Sequence, residues 1–214
     1  NTSRKPNIRV PVMNIATQEE IKIEGIPDNA VITEASFSPS SNKVALFVEE
    51  ANGVYLYNCT PEQPVAQKVS TRKINATSGA EILWISDNEF ITLMVPENRG
   101  KAPEKPTVPS GPIIQESTGK VMPARTYQDL LKNPYDEQII RLLLHLPIGT
   151  YKKRALCTRI GKPAIYGSTL SLSPDKSLLL IATVHRPYSY QVPVYNFPQK
   201  VRGHRLTRQF HFIR

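Results

Sequence analysis

The sequence predicts a mainly β protein: a partial β-propeller of about three to four blades of antiparallel sheet, with a long proline-rich insertion containing a short helix. Three observations predict it. A Ser-apolar-Ser-Pro pattern, then a polar turn and an apolar run, occurs at "SFSPSSNKVALFV" (36–48) and at "SLSPDKSLLLIA" (171–182), with a weaker copy at "WISDNEFITLMV" (84–95). Pro39 to Asp87 is 48 residues, near the ~40–50 of one blade, and Asp87 to Pro174 is 87, a blade plus an insertion of roughly 40. Nineteen prolines against ten glycines favour short segments and irregular connections over long helices. From pattern alone, an antiparallel sandwich of similar hairpins is the competing architecture.

Each copy reads as a hairpin: an apolar residue packs inward, a Ser-Pro turn closes through side-chain-to-backbone bonds, and an apolar strand returns. In the first copy Phe37 is the inward residue and "KVALFVEE" (43–50) the returning strand. Asn52-Gly53 signals the next hairpin turn, after which "GVYLYNCT" sets Val54, Leu56 and Asn58 against Tyr55, Tyr57 and Cys59 with period two. The insertion, about 97–138, begins with Pro103, Pro106, Pro109, Pro112 and Pro123, which hold the backbone extended. Two helical turns are expected over 126–134, stopped by Pro134. A loop of this length normally has a task, because ordering it without one is entropically wasteful. The partial propeller domain is expected over 1–201, and 202–214 is a divergent basic tail in which 209–213 can alternate as a strand.

Composition excludes several function classes. Hydrophobic content of 40% and charged content of 21% suit an ordinary globular core in 214 residues. No apolar run approaches the roughly 20 residues that span a bilayer, so no membrane span is expected. Cys59 and Cys157 are too few for a disulfide framework or a cysteine zinc site, and each reads as a small strand residue. Five of the basic residues (Lys200, Arg202, Arg205, Arg208, Arg214) fall in the last fifteen positions, which hold no acid; without them the formal charge drops from +9 to +4. Lys152-Lys153-Arg154 reads as a solvated strand end. The excess belongs to the tail, and no nucleic-acid partner is expected. His145, His185, His204 and His211 show no ligand spacing, there is no Gly-rich phosphate loop, and neither a metal nor a cofactor is expected.

The run "VPSGPIIQESTGKVMPARTYQDLLKNPYDEQ" (108–138) carries more. It resembles the insertion in the N-terminal propeller of bacterial and plastid serine peptidases of the prolyl oligopeptidase family, above all the glutamyl-endopeptidase-like group. The matching residues are Pro109, Gly111, Pro112, Gln115, Glu116, Arg125 through Leu131, Asp136 and Glu137. A second similarity, at 160–201, takes in the Ser-Pro-Asp blade, "RPYSY" and "FPQKV"; the whole resemblance runs over about 21–201. The Ser-Pro-Asp repeats alone are weaker, since TolB-like propellers share them.

The resemblance implies a region without its own catalyst. In that family a separate α/β-hydrolase domain carries the serine on a Gly-x-Ser-x-Gly elbow, then an aspartate and a histidine. This chain has no such elbow: Gly167-Ser168-Thr169 lacks the second glycine. The expected function is therefore a non-catalytic, hydrolase-related propeller with an ancestral role in substrate gating or binding. The alternative is a stand-alone TolB-like module binding a protein or peptide partner.

The chain opens on Asn1, so removal of any leader is expected, and the family resemblance favours a periplasmic or secreted location. The similarity ceases after Val201, where the family continues into further blades, so a truncated form is expected; a natural short form ending in a last strand is the other reading. Open blade edges would then favour self-association.

Candidate substrate contacts are Arg125, Tyr127, Gln128 and Asp129 of the insertion, and Arg186, Tyr188 and Tyr190. Arg186 can meet an acidic side chain bidentately, which would suit a glutamyl-type specificity. The competing role for each is structural: an arginine pairing with Asp136 or Glu137 to hold the insertion down, and tyrosines packed with a satisfied hydroxyl.

Overall fold

Val44 to Val48 is a five-residue run with no polar member, which periodicity reads as a strand covered on both faces. In the computed structural model all five are buried. It describes residues 10–77, 81–107, 119, 127, 130–152 and 155–206, with side chains for all of these except 155–161, 168 and 169. The chain divides into two compact units, residues 1–97 with 146–163, and 98–145 with 164–214.

The first unit opens with a small antiparallel ribbon of β1 (Pro11–Met13) and β2 (Glu20–Lys22). Strands β3 (Val31–Phe37), β4 (Val44–Glu50), β5 (Gly53–Cys59) and β6 (Gln67–Lys68) follow as a four-stranded antiparallel sheet in chain order, the meander of one blade. Val44, Leu46, Val48, Tyr55, Tyr57 and Cys59 form one buried face with Ile23 and Ile32. Ala45, Phe47 and Leu56 face the other way, onto Ile74, Phe90, Met94 and Tyr151. Cys59 is a free thiol in that first face, and burial pushes its pKa up.

The β4–β5 turn sits one residue earlier than expected. Glu50 pairs with Gly53, leaving Ala51-Asn52 as the loop, and Gly53 starts β5 at φ +142°, a conformation that favours glycine. Phe37 also departs from expectation: it lies across from Val44 yet is 52% exposed. Strand β3 is the sheet edge and has a neighbour on one side only, whereas Val44 is flanked on both.

The unit continues with β7 (Leu83–Ser86), β8 (Glu89–Leu93) and β9 (His145–Lys152), antiparallel neighbours in that order. Phe90 stacks on Tyr151 at 4.8 Å and meets Trp84 edge-on at 4.9 Å. A Cβ at Gly149 would lie 2.3 Å from the side chain of Met94, which would have to shift to admit one.

Strand β10 (Ala155–Leu172) runs from the first unit into the second, where it pairs with β11 (Leu178–Val184), which pairs with β12 (Gln199–Arg205). A 3-10 turn at Val194–Asn196 leads into β12. The Ser-Pro repeat has a physical basis in the two hairpin loops. In one, Ser38 N–H donates to Lys43 O and Lys43 N–H to the Ser38 hydroxyl, with Ser41 at φ 60°. In the other, Ser173 N–H donates to Leu178 O and Leu178 N–H to the Ser173 hydroxyl, with Lys176 at φ 58°. The weaker copy is also a hairpin, but Ser86 pairs with Glu89 across a tight Asp87-Asn88 turn.

Of the helix expected over 126–134, residues 126, 128 and 129 lie outside the described residues, and 127 and 130–133 are not helical. Helix α1 spans Pro134–Leu144, so Pro134 begins it rather than ending it. Asn133 is fully extended (φ −165°, ψ 171°), as a residue before proline prefers, and its side chain accepts from Asp136 N–H. Proline at the first helical position removes an N–H that has no partner there. No helix among the described residues is long and apolar enough to cross a membrane.

Candidate functional site

The first turn of α1 carries Asp136 and Glu137, two carboxylates at the positive end of the helix dipole. They do different work. Asp136 stays local, accepting from Lys132 N–H at 2.7 Å. Glu137 reaches across the second unit to the segment after β11. Its Oε2 lies 2.9 Å from Nη2 of Arg186, and its Oε1 accepts from the Tyr190 hydroxyl at 2.8 Å.

The surrounding residues hold this pair of contacts in place. The side chain of Glu137 is only 15% exposed, while that of Arg186 is 58% exposed. The Arg186 guanidinium lies 5.1 Å from the centre of the Tyr188 ring, and Tyr188 stacks on buried Phe197 at 5.6 Å. The Arg186-Pro187 peptide is cis. Burial, then the hydrogen bond and charge of Glu137, push the Tyr190 phenol up to about 12. The far end of α1 is secured by Arg99, whose Nε donates to Leu142 O (2.9 Å) and Nη2 to Leu143 O (3.0 Å). These are carbonyls that a helix C-terminus leaves without partners of its own.

Chemically the cluster is a carboxylate clamped between a cation and a phenol. Of the residues predicted to contact substrate, Arg186, Tyr188 and Tyr190 come together here. Tyr127 is half-buried, and Arg125, Gln128 and Asp129 lie outside the described residues. The structural role foreseen for Arg186, pairing with Glu137, is observed, as is a satisfied Tyr190 hydroxyl. Arg99 was missed: a single arginine 43 residues from its partner leaves no local signal. Among the described residues no group of His, Cys, Asp or Glu is arranged to hold a metal.

No family model matches the chain. The probable chloroplastic glutamyl endopeptidase of Arabidopsis thaliana is 34% identical over 197 residues, covering 85% of this chain and 20% of that protein. Its counterpart in Oryza sativa subsp. japonica is 42% identical over 126 residues, covering 56% of this chain and 13% of that protein. A solved prolyl endopeptidase superposes over 92% of this chain and 24% of its own, with a TM-score of 0.52 at 11% identity. The chain is a propeller-like, peptidase-related region. This propeller region spans a fifth or less of the length of the curated relatives it matches. A TolB-type protein of Agrobacterium tumefaciens also superposes, over 94% of the region and 52% of that chain, with a TM-score of 0.47 at 8% identity.

Proposed function

We propose that the region is the non-catalytic propeller part of a glutamyl-endopeptidase-like serine peptidase of the prolyl oligopeptidase family, and that it gates and contacts peptide substrates. The observation that carries this reading is the 34% identity extending over 85% of the chain. Chemistry adds to it. Arg186 gives one nitrogen to Glu137, and with most of its side chain exposed it retains donors for an acidic side chain from solution. Tyr188 and Tyr190 flank it, and Arg125, Tyr127, Gln128 and Asp129 supply the insertion's share of the contacts.

The test measures cleavage and binding separately. With a Glu-containing chromogenic peptide the 214-residue chain gives no turnover; serine-inhibitor-sensitive turnover overturns the non-catalytic reading. The same peptide, fluorescently labelled, binds the chain, and Arg186→Ala weakens binding about tenfold. Equal binding by wild type and Arg186→Ala removes this residue from the substrate path.

A further inference from the structure

Among the described residues β12 has β11 on one side and no strand on the other. The ladder decides which of its peptide groups are engaged. Leu206 N–H donates to Ser177 O at 2.7 Å and His185 N–H to Pro198 O at 3.3 Å. The Thr183 hydroxyl donates to Lys200 O at 3.3 Å. Even-numbered residues thus direct their N–H and C=O toward β11, so Gln199, Val201, Gly203 and Arg205 direct theirs outward. None of the four is a proline, and the register with β11 runs unbroken from Leu178↔Arg205 to Val184↔Gln199. Among the described residues these outward groups meet no strand, and a straight edge of this kind is a template for another strand.

The side chains say which strand fits. On one face Val201 is 58% exposed, and across the ladder lie Leu178 and Leu180, 43% and 41% exposed. Gly203, opposite Leu180, leaves open space where a side chain would stand. The other face presents exposed Lys200 and Arg202. No acidic residue follows Asp175, so neither β11 nor β12 offsets these cations. A second copy of the same edge would bring like charges together, which opposes strand pairing.

We infer that β12 is a docking edge for an extended peptide segment in which acidic and apolar residues alternate. The segment joins the sheet through the outward groups of residues 199–205. Its acids lie against Lys200 and Arg202, and its apolar side chains cover Val201, Leu180 and the gap at Gly203. This goes beyond the gating reading and does not depend on it.

The probe is a fluorescein-labelled peptide of about seven residues alternating Glu and Val, titrated into the full chain and followed by anisotropy. Saturable binding is expected, at least about tenfold weaker for Val201→Pro, whose lost N–H points outward and leaves the β11 ladder intact. A comparable loss is expected for Lys200→Glu/Arg202→Glu, whose exposed positions tolerate the change, and for a peptide N-methylated at alternate residues on the wild-type chain. Circular dichroism checks that the variants are folded. Failure of the Glu-Val peptide to bind overturns the inference. Undiminished binding by Val201→Pro or by the N-methylated peptide also overturns it, by reducing the contact to surface charge. Light scattering that shows concentration-dependent dimers abolished by Val201→Pro assigns the edge to a second copy, and again overturns it.

Discussion

Glu137 makes two contacts of unequal strength. Its bond from Tyr190 involves a half-buried hydroxyl, while its cation, Arg186, is more than half exposed and so screened by water. Glu137→Gln keeps an acceptor for Tyr190 and loses the ion pair, and we expect a cost of about 1–2 kcal/mol in urea unfolding, with Glu137→Ala costing more. Tyr190 supplies a pH dependence of definite sign. Its phenol is raised to about 12 in the folded chain, above the usual value near 10, so the stabilisation is whole below pH ~10. It is lost as pH climbs through about 12. The stability gap between wild type and Tyr190→Phe should therefore shrink between pH 9 and pH 11.5; a constant gap would show that the phenol is not held as described. Sequence reasoning reached these contacts because both partners sit in recognisable runs, "NPYDEQ" and "RPYSY", and an acid facing an arginine needs little else. It could not reach Arg99, whose partners are backbone carbonyls and carry no residue identity.

At the scale of the element, Pro134 is read wrongly from sequence because proline marks either end of a helix: it cannot continue one, yet it is well suited to begin one. What separates the cases is the residue before it and the acids after it. Asn133 caps, Asp136 and Glu137 occupy the first turn, and Ile139, Ile140, Leu142 and Leu144 supply the half-buried side. Asn133→Ala should cost about 1 kcal/mol, seen as a lower midpoint in thermal melts, while Asn133→Asp should be nearly neutral. The hairpin loops were legible because Ser-Pro with a fixed offset is a local signal. Their difference was not. Asp175 takes bonds from Ser173 and Ser177 within its own loop, which pulls its carboxyl down to about 2. The loop at Ser38 lacks that acid, and Asp87 of the β7–β8 turn supplies one from 47 residues away, accepting from Ser40 N–H at 2.9 Å and from its hydroxyl at 2.6 Å. Asp175 supports the fold above the normal carboxylate range and loses that role as pH falls through about 2. An NMR titration of Asp175 should place its midpoint well below that of an exposed aspartate.

For the molecule as a whole, the hairpin of β4 and β5 was the most legible part, since the hydrophobic period and the Asn52-Gly53 signal place its turn to within one residue. The weight of its core falls on β4, whose two faces serve different clusters. Phe47 is fully buried in the face it shares with Phe90 and Tyr151. Phe47→Ala should cost about 3–5 kcal/mol, followed by fluorescence of Trp84, the only tryptophan, which packs beside Phe90. Coincidence of this transition with far-UV circular dichroism would mean that the two units unfold together; separate transitions would mean that each is its own cooperative unit. Cys59 makes a kinetic version of that question accessible. Because its thiol is buried in β5 and reluctant to ionise, a disulfide reagent can modify it only when the blade opens. In a Cys157→Ala background the chain thus carries its own stopwatch. The labelling half-time, read against denaturant, times the opening of one sheet from a cysteine the sequence already carries.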